Sequence, residues 1–366
     1  MQLSIILPTH RHDLLALSRI AQVCSWASSR IQVIVRDNSG NAQKREMLKQ
    51  IRQDNCTIVS VDECEPRENF LESLKLAKGA FVFLLADDDM CFDRAVAALP
   101  GIIDRIANDP SFVGIAGPYV VEASSGSVVI NYKAIDAVDP AARVAGYLAE
   151  NGPNVLFYAV LRRDTVKRMM AFVEGLPIYC SYHDQVLSLL YLLNGKYHLL
   201  PRIFYLYDFG EWESTESAQK RDLEFYTQSG LDPAMNLLHW LLCGFEGAVL
   251  ALHSDAFPAH PPAQRQAIAN QWFSTMYARF KGHKRLAFGS PHAAEIEKSC
   301  ARLQAMAGTV NFDVMLEEIK AALAISSRDK AQLYFDYWDA TLNRRALPVS
   351  ATAKAAKPQA AETALP

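Results

Sequence analysis

Between residues 3 and 207 the chain alternates short apolar runs with stretches of helical spacing. Residues 3–7 are an apolar run ended by Pro8. Residues 31–35 are a second, stopped by the turn sequence Asp37-Asn38-Ser39-Gly40. Further strand-like runs lie at 57–61 and 80–85. The latter is continuously apolar, as central parallel strands are. Residues 13–25 repeat apolar positions at three and four, which predicts a helix. A charged helix is expected over 43–54. Another is expected over 67–78, closed by Gly79. Extended runs continue at 112–121, 128–132, 154–161 and 197–207, with a strongly apolar helix over 184–194. This alternation implies an α/β fold with a mainly parallel sheet. Ligands of such sheets sit at the carboxyl ends of the strands. The Asp37 turn and the Asp87-Asp88-Asp89 turn after the fourth strand are therefore expected at one rim.

Past residue 215 the pattern turns helical, with windows at 216–229, 232–253, 261–281, 292–307 and 311–343. The expected organisation is an α/β domain over 1–212 and a helical C-terminal extension over 213–346. Residues 347–366 are rich in Ala, Lys and Pro without periodicity, which predicts a disordered tail.

Composition removes several classes. Half of the 366 residues are apolar and the net charge is −3, so wholesale disorder is excluded. No nucleic-acid partner held by bulk positive charge is expected. Seven cysteines are scattered without a C-x-x-C pair, which fits neither a disulfide scaffold nor a zinc ribbon and points to a reducing cytosol. The opening residues carry no basic segment and too short an apolar run for a signal peptide. The longest apolar stretch, 237–252, contains His239 and Glu246 and is too short and polar for a confident bilayer span. It reads first as a bundle helix, with a dimerising or membrane-docking face as the alternative. Arg279, Lys281, His283, Lys284 and Arg285 form a small cationic run. It reads as a solvated face, or as a contact for anionic lipid or an acceptor phosphate.

The triple aspartate carries the chemistry. Three adjacent carboxylates at a strand end repel one another unless a cation is present. Hard carboxylate oxygens suit Mg²⁺ or Mn²⁺, and both metals pair with a diphosphate. The competing reading is a solvated acidic turn that caps the next helix.

Several segments, in order and spacing, resemble inverting family 2 glycosyltransferases of the GT-A (nucleotide-diphospho-sugar transferase) fold. Ser4-Ile5-Ile6-Leu7-Pro8-Thr9-His10-Arg11 resembles their first strand and "P-T-x-R" turn. Val33 to Ser39 is similar to their second strand with its "D-x-S" turn. Asn69 together with the block from Ala77 to Asp89 resembles "N … A-x-G … L-x-D-D-D". Arg162-Arg163 and His183-Asp184-Gln185-Val186-Leu187 resemble the "R-R … E-D-x-x-L" pair. The resemblance covers residues 3–207.

It implies transfer of one sugar from a nucleotide-diphosphate sugar to a hydroxyl of a glycan or glycolipid acceptor, with inversion and metal assistance. Pro8, Thr9, Arg11, Asp37, Asn69, Asp87 and Asp88 would then bind the nucleotide sugar. Asp89, with Asp87 in a D-x-D register or with Asp88 in a D-D register, would hold a divalent metal, Mn²⁺ or Mg²⁺, and Asp184 would be the base. Arg162-Arg163 would contact diphosphate or acceptor, or stand as exposed strand-end arginines. Residues 207–212 would form a flap with Trp212 as a sugar platform, or an ordinary linker. A cytoplasmic location, peripheral membrane contact at the inner face and homo-oligomerisation through the C-terminal helices are compatible with this reading. Arg36 departs from the family's usual acidic residue, and no histidine ligand stands near 205–214. A non-catalytic sugar-nucleotide binder and, more remotely, a nucleotidyltransferase are the alternatives.

Overall fold

The structure is a computed structural model that describes residues 1–150, 154–210, 213–257, 259–283, 285–306 and 310–343. Trp212, Lys284 and the segment 347–366 lie outside the described residues. The strands in chain order are β1 (Leu3–Thr9), β2 (Ile31–Asp37), β3 (Cys56–Ser60), β4 (Phe81–Leu84), β5 (Met90–Cys91), β6 (Phe112–Ala116), β7 (Tyr119–Ala123), β8 (Gly126–Ile130), β9 (Val160–Arg162), β10 (Lys196–Leu199) and β11 (Tyr205–Asp208). They make two sheets. The larger has the order β10-β6-β9-β4-β1-β2-β3 and is parallel except for β9. The smaller has the order β5-β11-β7-β8. The mainly parallel α/β architecture agrees with the reading from sequence.

The helices of the first half are α1 (Leu14–Ser25), α2 (Ala42–Leu48), α3 (Pro66–Lys75), α4 (Asp93–Ile106), α5 (Pro140–Ala149), α6 (Arg163–Gly175) and α7 (His183–Asn194). The second half adds α8 (Thr215–Gln228), α9 (His239–His253), α10 (Pro262–Gly282), α11 (Ala293–Ala305), α12 (Phe312–Ser326) and α13 (Arg328–Leu342).

Several elements differ from the expectation, each for a local reason. The run 112–121 is two strands in different sheets, β6 and β7, parted at Gly117-Pro118. The run 197–207 divides in the same way into β10 and β11 around Pro201. Proline supplies no backbone N–H and ends the ladder at both places. Residues 154–161, apolar from Val155 onward, fold as a 3-10 turn over Asn154–Tyr158 followed by the short antiparallel β9. A continuous apolar run does not fix its own period. Helix α5 was not anticipated, although its start carries a strong signal: Asp139 accepts from the Ala141 and Ala142 amides, and Pro140 occupies the first turn. The helix expected over 311–343 is broken at Ser327, whose hydroxyl caps α13 through the Lys330 amide.

Strand alternation divides the core. Leu3, Ile5, Leu7, Val33 and Val35 face one layer that contains Ile20 and Val23 of α1 and Leu99 and Ile103 of α4. Ile6 and Ile34 face the other. That second layer runs without interruption through Leu187 and Leu190 of α7 to Leu242, Trp272, Ile319 and Trp338 of the later helices. The extension therefore shares its core with one face of the sheet. Among the described residues one helical stretch, Pro233–His253, is long and apolar enough to cross a membrane, with a mean hydropathy of 1.4. In the fold 83% of its most apolar 18-residue window is buried against the rest of the protein, as in the central helix of a bundle.

Candidate active site

The site is built where β1, β2 and β4 end. Thr9 and Asp37 are direct neighbours in the β1–β2 register, and Asp87 follows β4 by three residues. Close approach of β4 to β1 depends on Gly79: a Cβ there would meet the Leu3 carbonyl carbon and the Ser4 nitrogen at 2.5 Å. The Gly79 amide instead donates to Ser4 Oγ at 2.8 Å.

Asp87 organises the turn after β1. Its Oδ2 accepts from Thr9 Oγ1 at 2.7 Å and from the amides of His10 and Arg11 at 3.3 and 3.2 Å. Thr9 Oγ1 in turn accepts from Lys44 Nζ at 2.8 Å. Lys44 also reaches Asp37 Oδ1 at 2.9 Å and the Arg11 carbonyl at 2.5 Å. One ammonium, 1% exposed, thus spends its three donors tying the β1 turn to the β2 turn. Sequence reading missed Lys44, because a lysine in a charged helix carries no mark of burial.

Asn69 lies on α3 beneath the same rim. Its Oδ1 accepts from Arg36 Nη1 at 2.6 Å, and its Nδ2 donates to the Arg36 carbonyl and to Asn38 Oδ1. Arg36 is the partner that uses Asn69. Both side chains brace the Asp37-Asn38 turn from below.

The remaining aspartates differ sharply. Asp89 is 3% exposed, and its oxygens accept from Tyr205 Oη and, at 2.9 Å, from the Asp208 amide. Burial and then the neighbouring Asp88 push its carboxyl up to about 8. Asp88 is half-buried and lies 3.6 Å from Arg11 Nη1. Burial and the Asp87 charge raise its pKa, and Asp208 adds to the effect. Pro8 flanks this turn, half-buried.

Asp184 stands in the first turn of α7 and is half-buried. It belongs to the same neighbourhood as the acidic turn. The Tyr158 phenol, held protonated by burial and then by Asp184, also feels the charges of Asp89 and Asp88. Tyr158 stacks on Tyr205, ring centroids 6.0 Å apart. His183, the residue before Asp184, is fully buried. Neither tyrosine was singled out from the sequence.

Arg162 and Arg163 lie elsewhere. Arg162 pairs with Phe81, at the start of β4, so it sits at the opposite edge of the sheet. Its guanidinium donates to the carbonyls of Ile106, Ala107, Asp109 and Phe112, closing the end of α4. Arg163 donates to the Ala77 carbonyl. These arginines serve the fold at the far edge rather than a ligand at the acidic rim.

The donor set suits a divalent cation in one form. Among the described residues no three His, Cys, Asp or Glu side chains converge into a cage. Asp89, expected from the sequence as a metal ligand, has both oxygens engaged, whereas Asp87 commits its Oδ2 to the β1 turn and Asp88 faces Arg11. Mg²⁺ is commonly held by one or two carboxylates completed by substrate phosphates, and the rim meets that requirement.

No protein-family model and no curated protein matches this sequence. The fold is similar to crystal structures of Staphylococcus aureus TarS. The 1–349 fragment aligns with a TM-score of 0.51 at 14% identity, over 95% of this chain and 93% of that one. The same fragment in complex with UDP-GlcNAc aligns with a TM-score of 0.53 at 14% identity, again over 95% and 93%. A longer TarS structure aligns with a TM-score of 0.50 at 14% identity, over 93% of this chain and 55% of that one. The likeness spans the helical second half as well, so this chain shares the fold of the TarS 1–349 fragment.

Proposed function

We propose that this protein is an inverting glycosyltransferase that moves one sugar from a nucleotide-diphosphate sugar to a hydroxyl of a glycan or glycolipid. The observation that carries the reading is the packing around Tyr158: the turn Asn154–Tyr158 packs on α7, whose first turn carries Asp184, and Tyr158 stacks on Tyr205, whose hydroxyl donates to Asp89. A base on one strip of chain and a diphosphate-binding rim on another are what this reaction requires. The TarS complexes with UDP-GlcNAc and UDP support a nucleotide-sugar donor.

The braced β1 and β2 turns would receive the nucleotide, with Pro8, Thr9 and Arg11 along one wall and Asp37 at the other. Arg11 supplies positive charge beside the leaving diphosphate. Asp88 and Asp87 would hold Mg²⁺ or Mn²⁺ with the diphosphate oxygens, which supplies Lewis-acid stabilisation of the leaving group. Asp184 takes the proton of the acceptor hydroxyl as its oxygen forms a bond to the anomeric carbon. The bond from that carbon to the diphosphate oxygen breaks, the nucleoside diphosphate departs with the electron pair, and the anomeric configuration inverts. The chemistry is read as cytoplasmic, with the acceptor met at the membrane's inner face.

A thermal-shift panel tests donor recognition. UDP-, GDP-, ADP- and dTDP-sugars are added with Mg²⁺ or Mn²⁺, because a ligand of the native state raises Tm. One nucleotide class should raise Tm by several degrees, and the rise should vanish in Asp88→Ala. A panel that leaves Tm unchanged throughout contradicts the proposal.

A further inference from the structure

Of the four positions 179–182 that lead into His183 and Asp184, three are tied to residues of the helical second half. Ser229, just past α8, donates through Oγ to the Tyr179 carbonyl at 2.7 Å. Ser181 Oγ donates to Asp222 of α8. Tyr182 Oη donates to Glu246 Oε1 of α9 at 2.8 Å. His183 Nε2 lies 2.9 Å from Glu246 Oε2. Tyr334 Oη of α13 donates to Glu246 Oε1 from the far side, at 2.8 Å.

The imidazole of His183 is fixed on every side. Its ring lies between Tyr179 and Tyr182, with centroids 5.0 and 4.3 Å away and interplanar angles of 20° and 28°. Its Nδ1 lies 2.9 Å from both the Cys180 amide nitrogen and the Cys180 carbonyl oxygen, and its Nε2 faces Glu246. Burial and then the Glu246 charge keep the Tyr182 and Tyr334 phenols protonated, so both act as donors. Glu246 is 1% exposed: its Oε1 accepts from both tyrosines, and its Oε2 lies against His183 Nε2. An apolar residue would serve the bundle core more simply. A glutamate here makes sense as the post to which the approach to α7 is tied.

We propose that Glu246, seconded by Asp222, is a positioning residue: through His183 and Ser181 the helical extension sets the place of the Asp184 carboxylate. The proposal rests on the reading of Asp184 as the base. It assigns the extension a direct part in the reaction, and it explains why the extension shares a core with α7.

The test uses the full chain with Glu246→Gln, Ser181→Ala and Asp184→Asn. Glu246→Gln keeps an acceptor for both tyrosines but sets an amide against His183 Nε2. Amide hydrogen exchange over 179–186 should quicken at least tenfold in Glu246→Gln, with 8–11, 37–41 and 86–89 unchanged. Steady-state turnover of the nucleotide sugar that raises Tm most should show kcat down at least tenfold and donor KM within twofold. A general loss of structure would move every segment and KM as well. Exchange or kcat at the wild-type level in Glu246→Gln overturns the proposal. If that variant does not fold, Ser181→Ala is judged by the same two readouts, scaled to a few-fold change. Full turnover by Asp184→Asn would instead remove the base reading alone, and the exchange measurement would still report on the clamp.

Discussion

Lys44 Nζ lies 2.9 Å from Asp37 Oδ1 in a site where each side chain is almost completely buried. The pair joins α2 to the end of β2, and through Thr9 it reaches the Asp87 turn as well. Removing one member of a buried pair strands the other, at a cost of about 3–5 kcal/mol. Lys44→Met should therefore lower the urea midpoint strongly. Combining it with Asp37→Leu should restore part of the loss, because no orphan charge remains. A double variant less stable than Lys44→Met would contradict this account of the pair.

Tyr205 supports Asp89 from the small sheet through its hydroxyl. The ring packs on Phe83 and Tyr158 independently of that bond. Tyr205→Phe keeps the packing and leaves the buried Asp89 carboxyl group with one hydrogen-bond partner fewer, a loss of about 1–3 kcal/mol. Urea denaturation of the two proteins at neutral pH measures it. Equal stability would show that the hydroxyl does not support Asp89.

His239 gives a pH dependence. Burial, and then Arg285, push its imidazole down to about 3, and it is neutral in the fold. Asp222 Oδ2, 3.8 Å from Nδ1, and the Tyr226 hydroxyl at 3.3 Å also face it. The folded pKa is below the unfolded one, so between these values the unfolded chain binds the extra proton. The stabilisation is complete above about 6.5 and is lost as pH falls toward 3. Tm of the wild type should drop between pH 7 and 4, and His239→Gln should drop less over the same interval. Parallel curves would remove His239 as a source of the acid sensitivity.

The sheet was legible because buried parallel strands are apolar runs closed by turn residues, as at Val35-Arg36-Asp37-Asn38. The acidic rim was legible because adjacent like charges are costly without a purpose. Lys44 and Glu246 were not. Lys44 lies 35 residues from Thr9, and its burial depends on a turn geometry that local pattern does not encode. Glu246 registered in the sequence only as a polar interruption of an apolar stretch. Its partners, Tyr182 and Tyr334, are 64 and 88 residues away. Arg162 misled in the opposite sense: a strand-end arginine pair resembles a phosphate contact until the antiparallel direction of β9 carries it to the far edge.

The central claim is that Asp184 is the base of a sugar transfer from a nucleotide donor. The most direct measurement is release of nucleoside diphosphate from the donor selected by thermal shift, by wild type and by Asp184→Asn, with donor affinity measured on both. The account predicts unchanged affinity and a fall in kcat of about 10²–10⁴, the usual worth of a general base. Binding without turnover by the wild type would instead mark a sugar-nucleotide scaffold. Turnover by Asp184→Asn at the wild-type rate would contradict the assignment of the base.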